Sequence, residues 1–336
     1  MRSPNYLKIL KLLQFKWLVL SGIWAFHVLG KRYIGIYIDP ALACNLRCKM
    51  CYFSDDAKRK ELGGSLGLAD MRRIAASLFH RALKVQIGCG AEPTVSSNWI
   101  EVVKLARQHG VPYVSLTTNG NLLTREKIEH AIEEGLDEIT LSAHGMTRAT
   151  YETLMQNAKF DIFLRLTNDL KSIKRKYPNF KVRVNYTINR DNFDELAQIL
   201  KVMDGVPDII QIRPIQKIGN SEYDDFDLTY IFDNYDKVIT PLVEKCRARG
   251  IECIYPQREN LVAISETAEY DNRIEEATYC YISSQSCWKP DFDFHNDTFE
   301  SYSKRTLLAR RLFSMIFHKP KNSAINTTRK LNYTPR

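Results

Sequence analysis

Acidic residues are missing from both ends of this 336-residue chain: none occurs in residues 1–33 or 301–336, which carry six and nine Lys/Arg. The remaining 34–300 stretch holds 33 basic against 39 acidic residues. A mildly acidic body with basic ends excludes a nucleic-acid surface spread over the fold. It suits contact with something anionic, such as a membrane face. Cysteine is scarce as well. Eight in this length are too few for a disulfide scaffold, and three are bunched at Cys44, Cys48 and Cys51, which reads as metal or cofactor ligation. Long hydrophobic runs are absent too. The uncharged stretch between Lys16 and Lys31 is 14 residues, or ~21 Å as a helix, against ~30 Å for a bilayer core. With a mean hydropathy of −0.32, a multi-span membrane protein is excluded. No internal repeat and no low-complexity segment breaks the chain.

The ends have their own character. Tyr6 to Leu29 is apolar, with Lys8, Lys11 and Lys16 set into it. Residues 1–33 therefore read as a basic apolar helix, either packed on the main domain or lying in a membrane interface. Ala41-Leu42-Ala43 before Cys44 imitates a cleavage site, but Lys31, Arg32 and Asp39 separate it from the apolar run, so export is rejected and a cytoplasmic location expected. Residues 303–336 read as a basic amphipathic helix followed by a disordered tail beyond Pro320. Leu308, Leu312, Met315 and Ile316 fall at helical spacing there, with Arg305, Arg310, Arg311 and Lys319 between or beside them. A docked helix with solvated arginines is one expectation; peripheral contact with an anionic inner membrane face is the other.

Between the ends, strand and helix alternate. Strands are expected at Ile34–Ile38, Lys84–Gly88, Val111–Thr117, Glu138–Ser142, Val182–Ile188 and Ile209–Arg213. Helices are expected near Leu68–Leu83, Asn98–His109, Thr124–Glu134, within Thr147–Tyr177, and at Asn192–Met203. Such alternation predicts a parallel sheet with right-handed crossovers. A doubly wound sheet and a partial barrel both satisfy it. In a barrel the chemistry gathers at the carboxyl ends of the strands. Cys44 to Cys51, Glu92, Asn119 and Ser142 all fall there, after four successive strands. Beyond 34–220 the alternation weakens. Asp227–Arg249 reads as a helix and Glu252–Tyr255 as a strand, and the rest of 221–302 reads as a small irregular extension.

The run Cys44-Asn-Leu-Arg-Cys48-Lys-Met-Cys51-Tyr52 has C-x3-C-x2-C spacing. Three thiolates on one loop suit a cubane iron–sulfur cluster, leaving one of four irons open to a further ligand. A structural zinc loop ordinarily wants a second paired knuckle, and none follows. Three free buried thiols fit poorly on so polar a loop.

This motif, directly after a first strand, resembles the signature of the radical S-adenosylmethionine enzymes. Further elements over Ile34 to Pro214 agree in order. Gly88-Cys89-Gly90-Ala91-Glu92-Pro93 is similar to the family's Gly-Gly-Glu-Pro motif, with Ala91 for its second glycine. Thr117-Thr118-Asn119-Gly120, Thr140-Leu141-Ser142-Ala143-His144, Val184-Asn185-Tyr186 and Ile210-Gln211-Ile212-Arg213-Pro214 resemble its later strand endings. The resemblance implies an α/β fold, a partial (β/α)6 TIM-like barrel. It implies a 4Fe–4S cluster on Cys44, Cys48 and Cys51, and S-adenosylmethionine on the open iron. Reductive cleavage would give a 5′-deoxyadenosyl radical that abstracts hydrogen from an unidentified substrate, and a flavodoxin- or ferredoxin-type protein would supply the electron. Gly90 and Ala91 would admit the methionine end, and Glu92 would pair with its ammonium or cap a helix. Asn119 and Ser142 would meet ribose or carboxylate, with an Asn-Gly turn as the plainer role for Asn119. Tyr52 would lie against adenine or in the core. Ile212 and Arg213 would contact adenine through the backbone. His144 is expected as a buried or catalytic histidine, and Cys89 as a small buried residue.

Cys287-Trp288-Lys289-Pro290 resembles the opening of the family's SPASM or twitch extension, but no cysteine follows Cys287, so the extension is degenerate. Cys246, Cys253, Cys280 and Cys287 would hold a second iron–sulfur cluster, or else sit buried, Cys246 on a helix and Cys253 in a strand. Substrates of SPASM-like relatives are peptides, proteins and sugars, and the basic ends add a lipid-linked glycan. The rival is a non-catalytic iron–sulfur electron-transfer or redox-sensing protein, which needs the cysteines but not Glu92, Asn119 and Ser142 at successive strand ends. No nucleic-acid partner is expected.

Overall fold

A computed structural model describes residues 15–217, 219–261 and 271–318. Eight strands run parallel in one curved sheet: β1 (Ile34–Ile38), β2 (Ala82–Ile87), β3 (Tyr113–Thr118), β4 (Glu138–Ser142), β5 (Lys181–Ile188), β6 (Ile209–Pro214), β7 (Glu252–Ile254) and β8 (Tyr279–Ser283). A short β9 (Ser286–Cys287) returns antiparallel to β8. The order is β9-β8-β1-β2-β3-β4-β5-β6-β7, an open sheet with no closing pair among the described residues. The six expected strands stand side by side in chain order. The expected strand near Glu252–Tyr255 forms as β7 and extends one edge beside β6. The structure adds a strand to the part that read as irregular: β8 comes back from far along the chain to lie beside β1. Residues 1–14 and the expected tail beyond Pro320 lie outside the described residues.

Strand alternation sorts the side chains into two layers. Ile36, Ile38, Val85, Ile87, Val114, Leu116, Ile139, Leu141, Val182, Val184, Ile210 and Ile212 are all 0–1% exposed, and they pack with the covering helices into one core. Those helices are α2 (Leu68–Leu78), α3 (Trp99–Gln108), α4 (Arg125–Glu133), α5 (Arg148–Leu154), α6 (Phe160–Lys176) and, after residue 221, α7 (Tyr235–Ala248). Each fully buried aliphatic contributes about 1.5–3 kcal/mol. The expected helix over Asn192–Met203 forms mostly as tight 3-10 turns, Phe193–Gln198, with Ile199–Val202 helical.

The concave layer is polar, with Tyr113 and Ser115, Glu138 and Thr140, Arg183 and Asn185, and Gln211 and Arg213 alternating with the core positions. Its floor is tied by an ion pair between buried Glu138 and half-buried Arg183. Arg183 Nε lies 2.8 Å from Glu138 Oε1, and Tyr113 Oη donates to Glu138 Oε2 at 2.6 Å. Burial pushes the Glu138 carboxyl up, but the hydrogen bond and charge of Arg183, with the Tyr113 bond, outweigh it and hold it below its ordinary value.

The described parts of the basic ends, 15–33 and 301–318, also fold onto the body. Helix α1 (Lys16–Val28) buries Val19, Leu20 and Ile23. It packs on α10 (Leu308–Phe317) and on α8 (Arg273–Thr278). The single helix expected over Ser303–Lys319 is broken: α9 (Phe299–Arg305) ends, and Leu307 at φ 52° turns the chain into α10.

Removing one partner of the floor pair strands the other charge. Glu138→Ala is expected to lose about 3–5 kcal/mol in urea unfolding, with much of it recovered in a Glu138→Leu/Arg183→Met double variant. Because the folded pKa lies below the unfolded one, this stabilisation is present above pH about 4.3 and fades as pH falls through the folded value.

Candidate functional site

The loop after β1 carries Cys44, Cys48 and Cys51. Arg47 Nη1 folds back onto the carbonyls of Cys44 and Leu46, at 2.8 and 2.7 Å, and Cys51 N–H donates to Cys48 O, so the two ends of C-x2-C form one turn. From outside, Arg47 and Cys48 pair antiparallel with Gln156 and Met155 after α5. Asn189 Nδ2 approaches Met50 Sδ at 2.8 Å, and Tyr223 N–H donates to Lys49 O. None of these buttresses is adjacent in sequence.

The donor set fits an iron–sulfur cluster. Leu46 N–H points at Cys44 Sγ at 3.4 Å, and Asn119 Nδ2 at 3.9 Å. N–H groups aimed at sulfur are among the contacts that tune such clusters. Burial pushes the Cys44 thiol up to about 12 and raises Cys48 and Cys51, so bare thiolates are disfavoured here until a cation compensates them. Among the described residues no three His, Cys, Asp or Glu side chains converge tightly enough for a single metal ion. A cubane presents a different iron to each thiolate and so accepts a wider ligand set.

The loop after β2 is held by Asp39, which the sequence reading passed over. Its side chain is 0% exposed at the end of β1. Oδ1 accepts from Cys89 N–H at 2.8 Å and Ala91 N–H at 3.4 Å, and Oδ2 accepts from Gly90 N–H at 2.9 Å and Tyr281 Oη at 2.8 Å. Burial pushes this carboxyl above its ordinary value, though all four hydrogen bonds pull it down. An available signal was its place: a lone acid ending an apolar strand, level with the other strand-end residues. Two glycines are required here. Gly88 has φ +88°, and a Cβ on it would stand 2.2 Å from Thr117 O. A Cβ on Gly90 would stand 2.6 Å from Tyr52 Oη, whose hydroxyl donates to Gly90 O.

Glu92 is 3% exposed and caps the 3-10 turn Pro93–Val95. Oε1 accepts from Thr94 Oγ1 at 2.5 Å and Thr118 Oγ1 at 2.6 Å, and Oε2 accepts from Asn119 N–H at 2.7 Å. Burial raises its pKa against these bonds. Glu92 thus staples the ends of β2 and β3, with acceptor capacity left on Oε2. Asn119 Oδ1 takes Asn121 N–H at 2.9 Å, and Nδ2 reaches Asn45 Oδ1 at 2.9 Å, so the residue both builds the Asn-Gly turn and ties it to the cysteine loop.

Ser142 ends β4 in register with Asn185 on the concave face. Two residues on, His144 Nδ1 accepts Thr187 N–H at 3.2 Å, which leaves Nε2 as the protonated nitrogen. Burial lowers its pKa to about 4, so the ring is neutral at physiological pH. Ile212 is 0% exposed and faces the helices, so only its backbone borders the mouth. Arg213 Nε and Asn185 Oδ1 are buried without a hydrogen-bond partner among the described residues. Tyr52 bridges the two loops. Cys89 is a correction: it is exposed, because its N–H turns inward to Asp39 and its side chain faces the mouth, with Sγ 3.3 Å from Tyr279 Oη.

The four later cysteines do not come together. Cys246 and Cys253 hydrogen-bond to each other at the α7/β7 edge, whereas Cys280 and Cys287 lie on β8 and β9 at the opposite edge of the sheet. Their placement does not assemble the single four-cysteine site weighed above, because β7 and β8 extend the sheet in opposite directions.

An open parallel α/β barrel with a thiol-bearing loop at the carboxyl mouth is the class that fold and site define. Residues 38–203 match the model of the Radical SAM superfamily, and the chain carries a domain of that superfamily. The chain is 28% identical over 190 residues to a probable GTP 3′,8-cyclase of Saccharolobus solfataricus, covering 54% of this chain and 59% of that one. It is 27% identical over 161 residues to an Fe-coproporphyrin III synthase of Methanosarcina barkeri, covering 48% and 38%. The match thus spans less than two thirds of either relative. In structure it resembles Streptococcus suis SuiB bound to S-adenosylmethionine, with a TM-score of 0.62 and 15% identity over 91% of this chain and 73% of that one. The superfamily implies a 4Fe–4S cluster and S-adenosylmethionine.

Two outcomes follow from this geometry. Asp39→Ala would leave three loop amides without their acceptor. It should cost at least about 3 kcal/mol in urea unfolding and speed amide exchange at residues 89–91, with Asp39→Asn milder. His144 has a folded pKa below its unfolded one, so it penalises the fold as pH falls from about 6.5 towards 4. His144→Gln is expected to flatten that part of the stability–pH curve.

Proposed function

We propose that this chain is a radical S-adenosylmethionine enzyme, with Cys44, Cys48 and Cys51 as the cluster ligands. The observation that carries this is convergence: loops after three successive strands meet around the three sulfurs, through Asn119, Asn45, Tyr52, Gly90, Asp39 and Glu92. An electron carrier needs its cysteines held, but not a polar chamber opening beside them. When bound, the cluster and S-adenosylmethionine supply a 5′-deoxyadenosyl radical for hydrogen abstraction. The chain's own residues bind and orient. Gly90 and Ala91 keep the mouth open to a close backbone approach, Oε2 of Glu92 has capacity for an ammonium, and Ser142 with the backbone at Ile212 borders the site.

The substrate we assign is polar, a peptide or a glycan. Arg213 Nε and Asn185 Oδ1 offer a charged donor and an acceptor on the concave wall, and a hydrocarbon there would leave both unsatisfied. The structural neighbour SuiB has also been seen bound to its precursor peptide SuiA, at a TM-score of 0.58 and 15% identity, which supports a chamber of this shape admitting a chain. The electron donor is a flavodoxin- or ferredoxin-type protein, and the setting a reducing cytoplasm.

Anaerobic protein reconstituted with iron and sulfide, given dithionite and S-adenosylmethionine, is expected to release 5′-deoxyadenosine, while Cys48→Ala releases none. A bound cluster whose electron paramagnetic resonance spectrum ignores added S-adenosylmethionine would favour the electron carrier instead.

A further inference from the structure

Apolar side chains on this protein's surface are concentrated in one place. Among the described residues, eight of the thirteen exposed large hydrophobic ones lie in 15–29 and 307–317, that is, on α1, α10 and their flanks. The outward side of α1 presents Trp17, Leu18, Val28 and Leu29, and residues 17–26 include no charge. On α10, Phe313 and Phe317 are 46% and 67% exposed. The two helices share this surface. Trp24 contacts Phe313 at 5.3 Å between ring centroids, and Phe313 contacts Phe317 at 5.4 Å. A contiguous aromatic patch of this kind on a folded domain marks something to be covered.

Charge says what covers it. Neither helix bears an acidic residue, and Lys31, Lys304, Arg310 and Arg311 stand exposed around the patch. Two of the acids near the patch are held in ion pairs: Asp271 by Lys16 and Arg273, Glu300 by His80 and Arg81. The sequence outside the described residues at the two ends adds eight Lys/Arg and no acid. Among the described residues no helix is long and apolar enough to cross a bilayer. Aromatic and aliphatic side chains ringed by cations match an interface whose headgroups are anionic and whose next layer is hydrocarbon.

The patch also has a fixed relation to the mouth. Helix α1 runs into the amino end of β1, where Arg81, just before β2, bonds the carbonyls of His27 and Lys31. Helix α8 runs into the amino end of β8 and holds α10, Arg273 Nη1 donating to Met315 O at 2.5 Å. The cysteine loop leaves the carboxyl end of β1, a strand length of about 17 Å away. We propose that the joined outer face of α1 and α10 seats the protein on an anionic bilayer surface, with the barrel mouth turned to the aqueous side. The substrate then reaches the site from water, and a lipid-linked one presents its headgroup rather than its acyl chain. Docking and chemistry are separable, since neither helix contributes to the mouth.

Flotation of the full-length holoprotein with phosphatidylcholine vesicles, with and without phosphatidylglycerol, tests this. Binding is expected only with phosphatidylglycerol. It should weaken between about 0.1 M and about 1 M salt, as screening shortens from about 10 to 3 Å. The variant Trp17→Ser/Phe313→Ser/Phe317→Ser alters exposed side chains and keeps its circular dichroism. It should lose roughly tenfold or more of the bound fraction, and Arg310→Glu/Arg311→Glu should behave likewise. A membrane-impermeant thiol reagent should modify the mouth residue Cys89 equally on bound and free protein. Failure to float with phosphatidylglycerol, or a dimer in sedimentation velocity that the triple variant dissolves, would overturn the docking. Protection of Cys89 on vesicles would overturn the orientation. None of these outcomes depends on 5′-deoxyadenosine release, so either proposal can fail alone.

Discussion

Two buried carboxylates, Asp39 and Glu92, hold the strand-end loops against one another, and the arrangement of the mouth depends on them. A loop has backbone donors that no ladder satisfies, and leaving them buried is costly. Asp39 takes three such amides from residues 89–91 and a hydroxyl from β8. Glu92 takes donors from its own turn and from the end of β3. The two acids connect β1, β2, β3 and β8 at their carboxyl ends. The cysteine loop joins the same network through Asn119, Tyr52 and the bond from Glu92 N–H to Ala43 O. Desolvation works against each carboxylate, and the hydrogen bonds make the ionised form tolerable, so the anions and the loops stabilise each other.

The concave and convex faces of the sheet divide the labour. Outward positions are aliphatic and nearly unexposed, which makes the sheet rigid. Inward positions are polar. At the floor, Glu138, Arg183 and Tyr113 satisfy one another, while higher up Arg213 Nε and Asn185 Oδ1 have no hydrogen-bond partner among the described residues. A satisfied floor below an unsatisfied wall is what a chamber shows when its contents complete the hydrogen bonding. The helices at the other end of the strands carry a different surface, apolar and basic, so the molecule has one end suited to polar chemistry and one suited to an interface.

Much of this was legible in the chain. The alternation of Val/Ile-rich runs with amphipathic helical stretches marks six parallel strands within a few residues of their ends, because buried parallel strands need continuous apolar positions and crossovers need helices. The C-x3-C-x2-C spacing and the residues after each strand point to a single mouth. The resemblance to the radical S-adenosylmethionine enzymes agrees with the superfamily match over 38–203. Less legible was anything whose partner is far along the chain. Asp39 looks like an ordinary turn acid until residues 89–91 arrive. Strand β8 is too short and too mixed to stand out, and its place beside β1 is set by pairing across more than two hundred residues. Cys89 sits in a glycine-rich run that suggests burial, and only the inward turn of its amide exposes the thiol.

The sequence by itself determined the period-two and helical patterns, the cysteine spacing and the acid-free ends, since each is a local property of residue type and order. The tertiary structure decided which strand ends meet, which acid anchors which loop, and that Cys246 and Cys253 part from Cys280 and Cys287 onto opposite edges. It also decided that the apolar faces of α1 and α10 fuse into one patch at the end of the strands away from the mouth. Those outcomes depend on sheet order and on the packing of distant segments, and hydrogen-bond satisfaction in a buried interior is settled only once every neighbour is in place.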